Sequence, residues 1–210
     1  MIDSNRFLMF STAALLLAIA PGPGMLYVLA RSLAGGRREG ALSSLGTFVG
    51  GMVHVLAAAA GISVVLARSA AAFAAVKYAG AGYLCFLGVR MILEARKDTA
   101  SLPQNVKAST RNPFWQGIAT EVLNPKTALF FLSFIPQFVD RQSGHVFQQF
   151  LMLGTISVTL NTSADLIVTM FAGPLGNQIR SSARFGRAQR TATGAIMIGL
   201  GTYLATSKSE

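Results

Sequence analysis

Two long apolar segments of this chain are each interrupted by proline near the middle. The first covers residues 7–33 and is broken at residues 21–24, Pro-Gly-Pro-Gly. The second covers residues 114–139 and is broken at residues 124–126, Asn-Pro-Lys. Proline removes a backbone donor and clashes with the preceding turn, so a helix breaks there. Unpaired backbone groups are costly in lipid, and each break must therefore face protein or a watery cavity.

The composition is that of a membrane protein. Of the 210 residues, 52% are hydrophobic and only 12% are charged, against roughly 25% charged in soluble domains. The net charge of +10 would suggest nucleic-acid binding in a soluble protein. Here the basic residues lie between apolar runs, so they are interpreted as topology signals, with the lipid bilayer as partner and no nucleic acid. The one cysteine, Cys85, permits no internal disulfide.

A helix needs about 20 apolar residues to cross a bilayer. Six segments are long enough and are predicted to span the membrane: residues 7–33, 42–66, 70–93, 114–139, 147–172 and 189–206. The first is interpreted as a retained span and not as a cleaved signal peptide. The whole chain, residues 1–210, is predicted to be one transmembrane transporter domain. It divides into repeat one (1–95), a polar cytoplasmic linker (96–112) and repeat two (113–210).

The distribution of basic residues predicts the orientation. Most of the 18 lysines and arginines lie in the loops between spans 1–2, 3–4 and 5–6, Arg31 among them. Cytoplasmic loops carry the excess of positive charge. Both termini are therefore predicted to lie outside, on the periplasmic face of the bacterial inner membrane.

The two halves resemble each other in sequence. Leu-Gly-Thr triplets at residues 45–47 and 153–155 follow the two proline breaks in the same order. In the third span Gly80 and Gly88 have the spacing of Thr193 and Gly201 in the sixth. Since three spans per half is an odd number, the halves must run in opposite directions. We predict an all-α polytopic protein of two inverted three-helix repeats, a common plan for secondary transporters. The alternative is that small residues recur in any membrane helix.

The second break has the residues that restart a helix. Asn124 is a good N-cap, and proline is favoured at the next position, Pro125. The positive end of the helix dipole and the ammonium group of Lys126 together suit a carboxylate. At the first break, Gly22 and Gly24 would let a ligand approach the backbone. The alternative is two structural kinks with no ligand.

Three further polar residues that fall inside predicted spans can titrate. Asp165 could bind an amino group or carry a proton, and Glu121 could do the same or pair with Lys126. His54 could titrate near neutral pH or be a hydrogen-bonded packing residue. These three are the proton-coupling candidates. The candidate substrate-binding residues lie at the two breaks and in the fifth span: Pro21, Gly22, Pro23, Gly24, Asn124, Pro125, Lys126 and Asp165.

Other function classes have less support. The chain has no Gly-x-Ser-x-Gly and no His-Glu-x-x-His motif, and its only histidines are His54 and His145. We therefore predict no catalytic residues, metal site or cofactor, and an intramembrane enzyme is a less favoured alternative. A channel would need a continuous polar lining or rings of charge, whereas these polar residues gather at one depth.

The chain resembles the lysine exporter (LysE/RhtB) family of bacterial amino-acid exporters. The residues that carry the resemblance run through nearly the whole chain: residues 21–24, Gly46, His54, residues 77–84, residues 124–131, Phe134, Pro136, Gln137, Phe138 and Asp165. The resemblance implies six spans and an inner-membrane exporter of amino acids or close derivatives, with coupling to the proton gradient. The chain departs from it at Glu121, where such sequences often carry a neutral residue.

Together these observations predict a secondary active exporter of an amino acid that works by alternating access. Another small metabolite is the alternative substrate. The substrate's identity stays open.

The small-residue helix faces would permit a homodimer. The spacing of Gly46 and Gly50 also permits a close helix contact.

Overall fold

The computed structural model of the chain describes residues 4–68, 70–96, 112–140, 144–181 and 183–207. Its α-helices are α1 (Ser4–Ile19), α2 (Pro23–Arg68), α3 (Ala70–Arg96), α4 (Pro113–Val122), α5 (Pro125–Leu129), α6 (Val146–Ser181) and α7 (Ala183–Thr206). The described residues contain no strand, which confirms the all-α fold class for this part of the chain. Apart from its two end residues, the predicted linker 96–112 lies outside the described residues.

Three helical stretches of the described chain are long and apolar enough to cross a membrane: Pro23–Gly61, Ala74–Arg96 and Val146–Ala172. A fourth is reached if Pro113–Val122 and Pro125–Phe138, which meet at a bend of 46°, form one span. The helix Ser4–Ile19 is apolar but shorter. The multi-pass membrane class follows from these stretches, whereas six crossings stay a prediction.

Both helix breaks lie where the prolines predict them. Helix α1 ends at Ile19 and α2 begins at Pro23. Helix α4 ends at Val122 and α5 begins at Pro125. The first predicted span therefore consists of α1 and the first part of α2, and the fourth consists of α4 and α5 with the turns that follow.

The first two predicted spans are joined by a kink and not by a loop. Helix α2 runs through both, and only Gly36 leaves the helical conformation, with φ of 76° and ψ of −171°. Glycine adopts positive φ without steric cost. Arg31, counted among the charges of the loop between these spans, lies within helix α2 instead. Its side chain is 1% exposed, and its Nη1 lies 3.3 Å from Glu39 Oε2.

After α5 the helix changes its pitch twice, which the sequence analysis did not predict. Residues Phe130–Phe134 form a π-helical turn, and Ile135–Phe138 form a 3-10 turn. The N–H of Ile135 donates to the carbonyl of Phe130, five residues back. Pro136 has no N–H, so the regular ladder of hydrogen bonds cannot continue through it.

Glycines allow the helices to approach closely at two crossings. A Cβ at Gly50 on α2 would lie 2.8 Å from Glu121 Cβ and 2.9 Å from the carbonyl oxygen of Ile118 on α4. On α3, a Cβ at Gly88 would lie 2.5 Å from the carbonyl oxygen of Gly194 on α7. The close contact expected from the spacing of Gly46 and Gly50 is thus confirmed, with α4 as its partner.

The protein surface is strongly apolar, as a lipid-facing surface should be. Leu8, Trp115, Leu123 and Phe171 are all exposed, with Leu123 at 79%. Inside, the aromatic side chains of the π-helical and 3-10 turns join α1 and α6 in one apolar cluster: Phe10, Phe130, Phe131, Phe134, Phe138 and Phe150. Because both the interior and much of the exterior are apolar, the buried polar residues are the natural candidates for a functional site.

The α3–α7 crossing should be sensitive to a single methyl group. We expect Gly88→Ala to destabilise the protein by about 1–3 kcal/mol, because the backbone of α7 must move away. Thermal unfolding in detergent would show this as a lower apparent Tm. Gly82→Ala on the same helix is the matched control, since a Cβ there meets nothing within 4 Å. An equal Tm for the two variants would contradict close packing at this crossing.

Candidate functional site

The second break is built by Asn124 and Pro125, as their sequence predicts. Asn124 Oδ1 accepts a hydrogen bond of 3.1 Å from the backbone N–H of Lys126, and Pro125 is the first residue of α5. The carbonyl of Asn124 accepts from the N–H of Ala128 at 3.1 Å. The N-terminal donors of α5 are therefore partly satisfied by the side chain that precedes it.

Lys126 connects the second break to the first. Its side chain is buried, and its Nζ donates to the carbonyl oxygens of Leu17 at 3.0 Å and Ala20 at 2.7 Å. These carbonyls lie at the C-terminal end of α1, where the helix dipole is negative and the last acceptors have no partner in the helix. The ammonium group of one half of the chain thus caps the broken helix of the other half.

The glycines of the first break make room for the side chains of the second. A Cβ at Gly22 would lie 3.0 Å from Lys126 Cδ and 3.2 Å from its Nζ. A Cβ at Gly24 would collide with Glu121 Oε2. Pro21 is buried beside them, and Pro23 starts α2 with its side chain exposed. Close approach is therefore a structural need at both glycines, with protein side chains as the partners.

Glu121 is buried and bonded within its own segment. Oε1 accepts from the Thr127 hydroxyl at 2.5 Å, and Oε2 accepts from Asn124 Nδ2 at 3.1 Å. None of the ion pairs found among the described residues joins Glu121 to Lys126. Asn124 and Thr127, at the break and just after it, thus hold the carboxylate of Glu121 in place.

His54 supports the end of α4. Its Nε2 donates to the carbonyl oxygen of Glu121 at 2.9 Å, and its ring stacks on Phe131 at a centroid distance of 6.3 Å. The last carbonyls of a helix need such donors. This geometry fits the packing interpretation of His54.

Asp165 lies on α6, 2% exposed, and faces α2. Its Oδ2 accepts from the Thr47 hydroxyl at 3.0 Å, and its Oδ1 has no partner among the described residues. Glu121 and Lys126 are near enough to act on it electrostatically. The structure thus brings Asp165, Glu121 and Lys126, all from the second half of the chain, into one buried cluster.

A small cavity opens beside this cluster, between α1, α2, α6 and the second break. It has room for about one water molecule, and its lining is both polar and apolar: Ala14, Leu17, Ala18, Thr47, Gly51, Glu121, Thr127, Phe130, Phe131, Ser157, Val158, Asn161 and Thr162. Of the predicted site residues only Glu121 is in the lining. The eight candidate substrate-binding residues lie outside it.

Sequence analysis missed three hydroxyl groups in this lining. Thr127 bonds Glu121, Thr47 bonds Asp165, and the buried Ser157 hydroxyl has no partner among the described residues. Thr47 belongs to the first Leu-Gly-Thr triplet, and Thr127 belongs to residues 124–131, which carry the family resemblance. Hydroxyl groups are so common in membrane helices that neither one indicates a site by itself. Among the described residues no group of three His, Cys, Asp or Glu side chains could hold a metal ion.

Comparison with known proteins links the chain to membrane transport. Residues 15–208 match the sequence profile of a family described as "LysE type translocator". An uncharacterized membrane protein of Pseudomonas aeruginosa is 35% identical over 199 residues, which cover 90% of this chain and 89% of that protein. An uncharacterized membrane protein of Vibrio cholerae is 29% identical, over 99% of this chain and all of its own length.

A relative with a named activity is also similar. The leucine efflux protein of Salmonella choleraesuis is 25% identical over 206 residues, which cover 95% of this chain and 94% of that protein. No solved structure matches the chain.

Removing the Lys126 ammonium group should destabilise the fold. In Lys126→Met the aliphatic stem is kept, but the carbonyls of Leu17 and Ala20 lose their donor. A buried acceptor left without a partner costs about 1–3 kcal/mol, so we expect the apparent Tm in detergent to fall. Lys126→Arg keeps a donor and should lose less. A Lys126→Met protein as stable as the wild type would contradict the capping role.

Proposed function

The chain belongs to the LysE type translocator family, and we propose that it is a secondary active exporter of amino acids or close derivatives across the bacterial inner membrane. The printed activity of the leucine efflux relative supports this substrate class. The observation that carries the proposal is the meeting of two broken helices at a buried cluster of Lys126, Glu121 and Asp165. Broken helices that meet near a charged cluster are typical of transporter substrate sites.

We place the amino acid where the two breaks meet. Its carboxylate would contact Lys126 and the helix starts at Gly22–Gly24 and Asn124–Pro125, and its ammonium group would contact Asp165 and Glu121. The cavity is too small for even the smallest amino acid, so these contacts require a conformational change. On substrate binding, the carboxylate would replace the Leu17 and Ala20 carbonyls as acceptors for Lys126, which would release the end of α1.

An inverted repeat would provide that change, with one half rocking against the other. The α3–α7 crossing supports it. If Gly88 corresponds to Gly201, then Ala81 corresponds to Gly194, and the contact of Gly88 with Gly194 implies one of Gly201 with Ala81. A Cβ at Gly201 would indeed lie 2.8 Å from the Ala81 carbonyl oxygen. We propose six spans related by this symmetry, with both termini periplasmic.

Proton coupling is the remaining part of the proposal. Asp165 or Glu121 would take up a proton from the periplasmic side and release it to the cytoplasm as the amino acid leaves. Both carboxyl groups are buried near the cavity. Because a carboxyl group accepts hydrogen bonds when it is charged and donates one when it is protonated, a bound proton would change which partner it binds. Export of another small metabolite is the alternative that the same site could serve.

Export should depend on the charged cluster. Cells loaded with mixed dipeptides should release one or a few amino acids faster when they make this protein, as measured by chromatography of the medium. We expect Lys126→Ala, Glu121→Gln and Asp165→Asn each to lower that release at least about tenfold, because each removes a charge from the site. Arg90→Gln, an exposed charge outside the site, is the control. Release unchanged in all three variants would exclude the cluster as the substrate site.

The topology has its own test. A reporter fused to the C-terminus that is active only in the periplasm, such as a secreted phosphatase, should be active in this fusion, since the basic residues lie in cytoplasmic loops. A reporter active only in the cytoplasm should be inactive there and active when inserted in the 96–112 linker. The opposite pattern would mean that the number of spans or their orientation is wrong.

A further inference from the structure

Asp165 is poorly supplied with partners for a buried acid. Its side chain is 2% exposed, and one oxygen has no hydrogen-bond partner among the described residues. A buried carboxylate is stable only when its charge is compensated and its oxygens accept several hydrogen bonds. With a single hydrogen bond, from Thr47, Asp165 is better suited to gaining and losing a proton than to holding a permanent charge.

The Thr47 hydroxyl can serve both protonation states of Asp165. It has one hydrogen and two acceptors in reach, the Ser44 carbonyl oxygen at 2.9 Å and Asp165 Oδ2 at 3.0 Å. When Asp165 is charged, the hydroxyl donates to its carboxylate. When Asp165 is protonated, the acid donates to Thr47 Oγ1 and the hydroxyl turns to Ser44. Each state keeps a complete hydrogen bond between the two side chains.

Thr47 also connects Asp165 to the cavity. Thr47 and Glu121 line the cavity, whereas Asp165 does not. Among the described residues, Thr47 both lines the cavity and bonds Asp165, through its hydroxyl. The cavity has room for about one water molecule, and its polar lining provides the partners that a buried water needs.

We propose that Thr47 relays protons between the cavity and Asp165, with Glu121 as the acid that exchanges them with cavity water. Water in the cavity gives a proton to Thr47 Oγ1 while the Thr47 hydrogen passes to Asp165 Oδ2, and protonated Glu121 restores the water. The net step breaks an O–H bond on Glu121 and forms one on Asp165. The charged groups facing Asp165 are Glu121 from α4 and Lys126 from α5.

The relay rests on the proposed proton-coupled export and is tested by separating coupling from binding. Purified protein in liposomes loaded with leucine would be measured in two ways. Exchange of labelled against unlabelled leucine reports binding and the conformational change. Export driven by an imposed proton gradient, measured over a range of pH, reports coupling. The readout is the ratio of gradient-driven export to exchange.

Three variants at Thr47 and one elsewhere make the comparison. Thr47→Val and Thr47→Ala remove the hydroxyl, and we expect the ratio to fall at least about a hundredfold, the lower end of what a positioned proton-transfer group contributes. Thr47→Ser keeps the hydroxyl and should keep the ratio and its pH profile. Thr155→Val changes the threonine of the second Leu-Gly-Thr triplet, which does not line the cavity, and should behave as the wild type.

The possible results separate the relay from the proposed function. Wild-type protein that neither exchanges nor exports leucine or another amino acid would overturn the proposed function itself. Exchange in the wild type without any response to the gradient would overturn proton coupling and with it the relay. A wild-type response that persists in Thr47→Val and Thr47→Ala, or is lost in Thr47→Ser, would overturn the relay alone. Equal loss of exchange and export in Thr47→Ala would show a binding role instead.

Discussion

The hydrogen bonds from Lys126 to the end of α1 are the interaction on which the rest of the site depends. A helix that stops inside a membrane leaves backbone acceptors without partners, and water is not there to bind them. The ammonium group supplies two of the missing donors, to Leu17 at 3.0 Å and Ala20 at 2.7 Å. To reach them, Lys126 must lie against the first break, which requires Gly22 in place of any larger residue. The position of Glu121 beside Gly24 follows from the same close approach.

The two helix ends at the second break are satisfied in the same way, by nearby side chains. Asn124 caps the start of α5, and His54 donates to the carbonyl of Glu121 near the end of α4. Such bonds can be exchanged for bonds to a ligand, because a carboxylate or an ammonium group offers the same kinds of acceptor and donor. The two breaks are therefore stable in the absence of substrate and still contain the groups with which the proposed site would recognise one.

Local parts of this arrangement could be predicted from sequence, and long-range parts could not. The caps at Asn124 and Pro125 depend on neighbouring residues, so the motif alone predicts them. The partner of Lys126 lies more than a hundred residues away, and no local pattern indicates it. For the same reason Arg31 was interpreted as a loop charge, whereas the kink at Gly36 brings Glu39 to it. In the sequence Thr47 stands out only as part of a repeated triplet, since its bond to Asp165 joins α2 to α6.

The charges of the cluster give a physical reason for the proposed coupling to protons. Lys126 carries one positive charge, while Glu121 and Asp165 together carry two negative charges if both are ionised. Buried charge that is not balanced is expensive in an apolar interior, and one bound proton would balance this cluster. A zwitterionic amino acid adds no net charge, so the cluster with substrate still needs that proton. A cationic amino acid would replace it. Charge balance alone therefore links the proton to a cationic amino acid, which would take its place, and does not link it to a neutral one. The apolar side of the cavity, with Leu17, Phe130 and Val158, would suit a neutral side chain once the site opens.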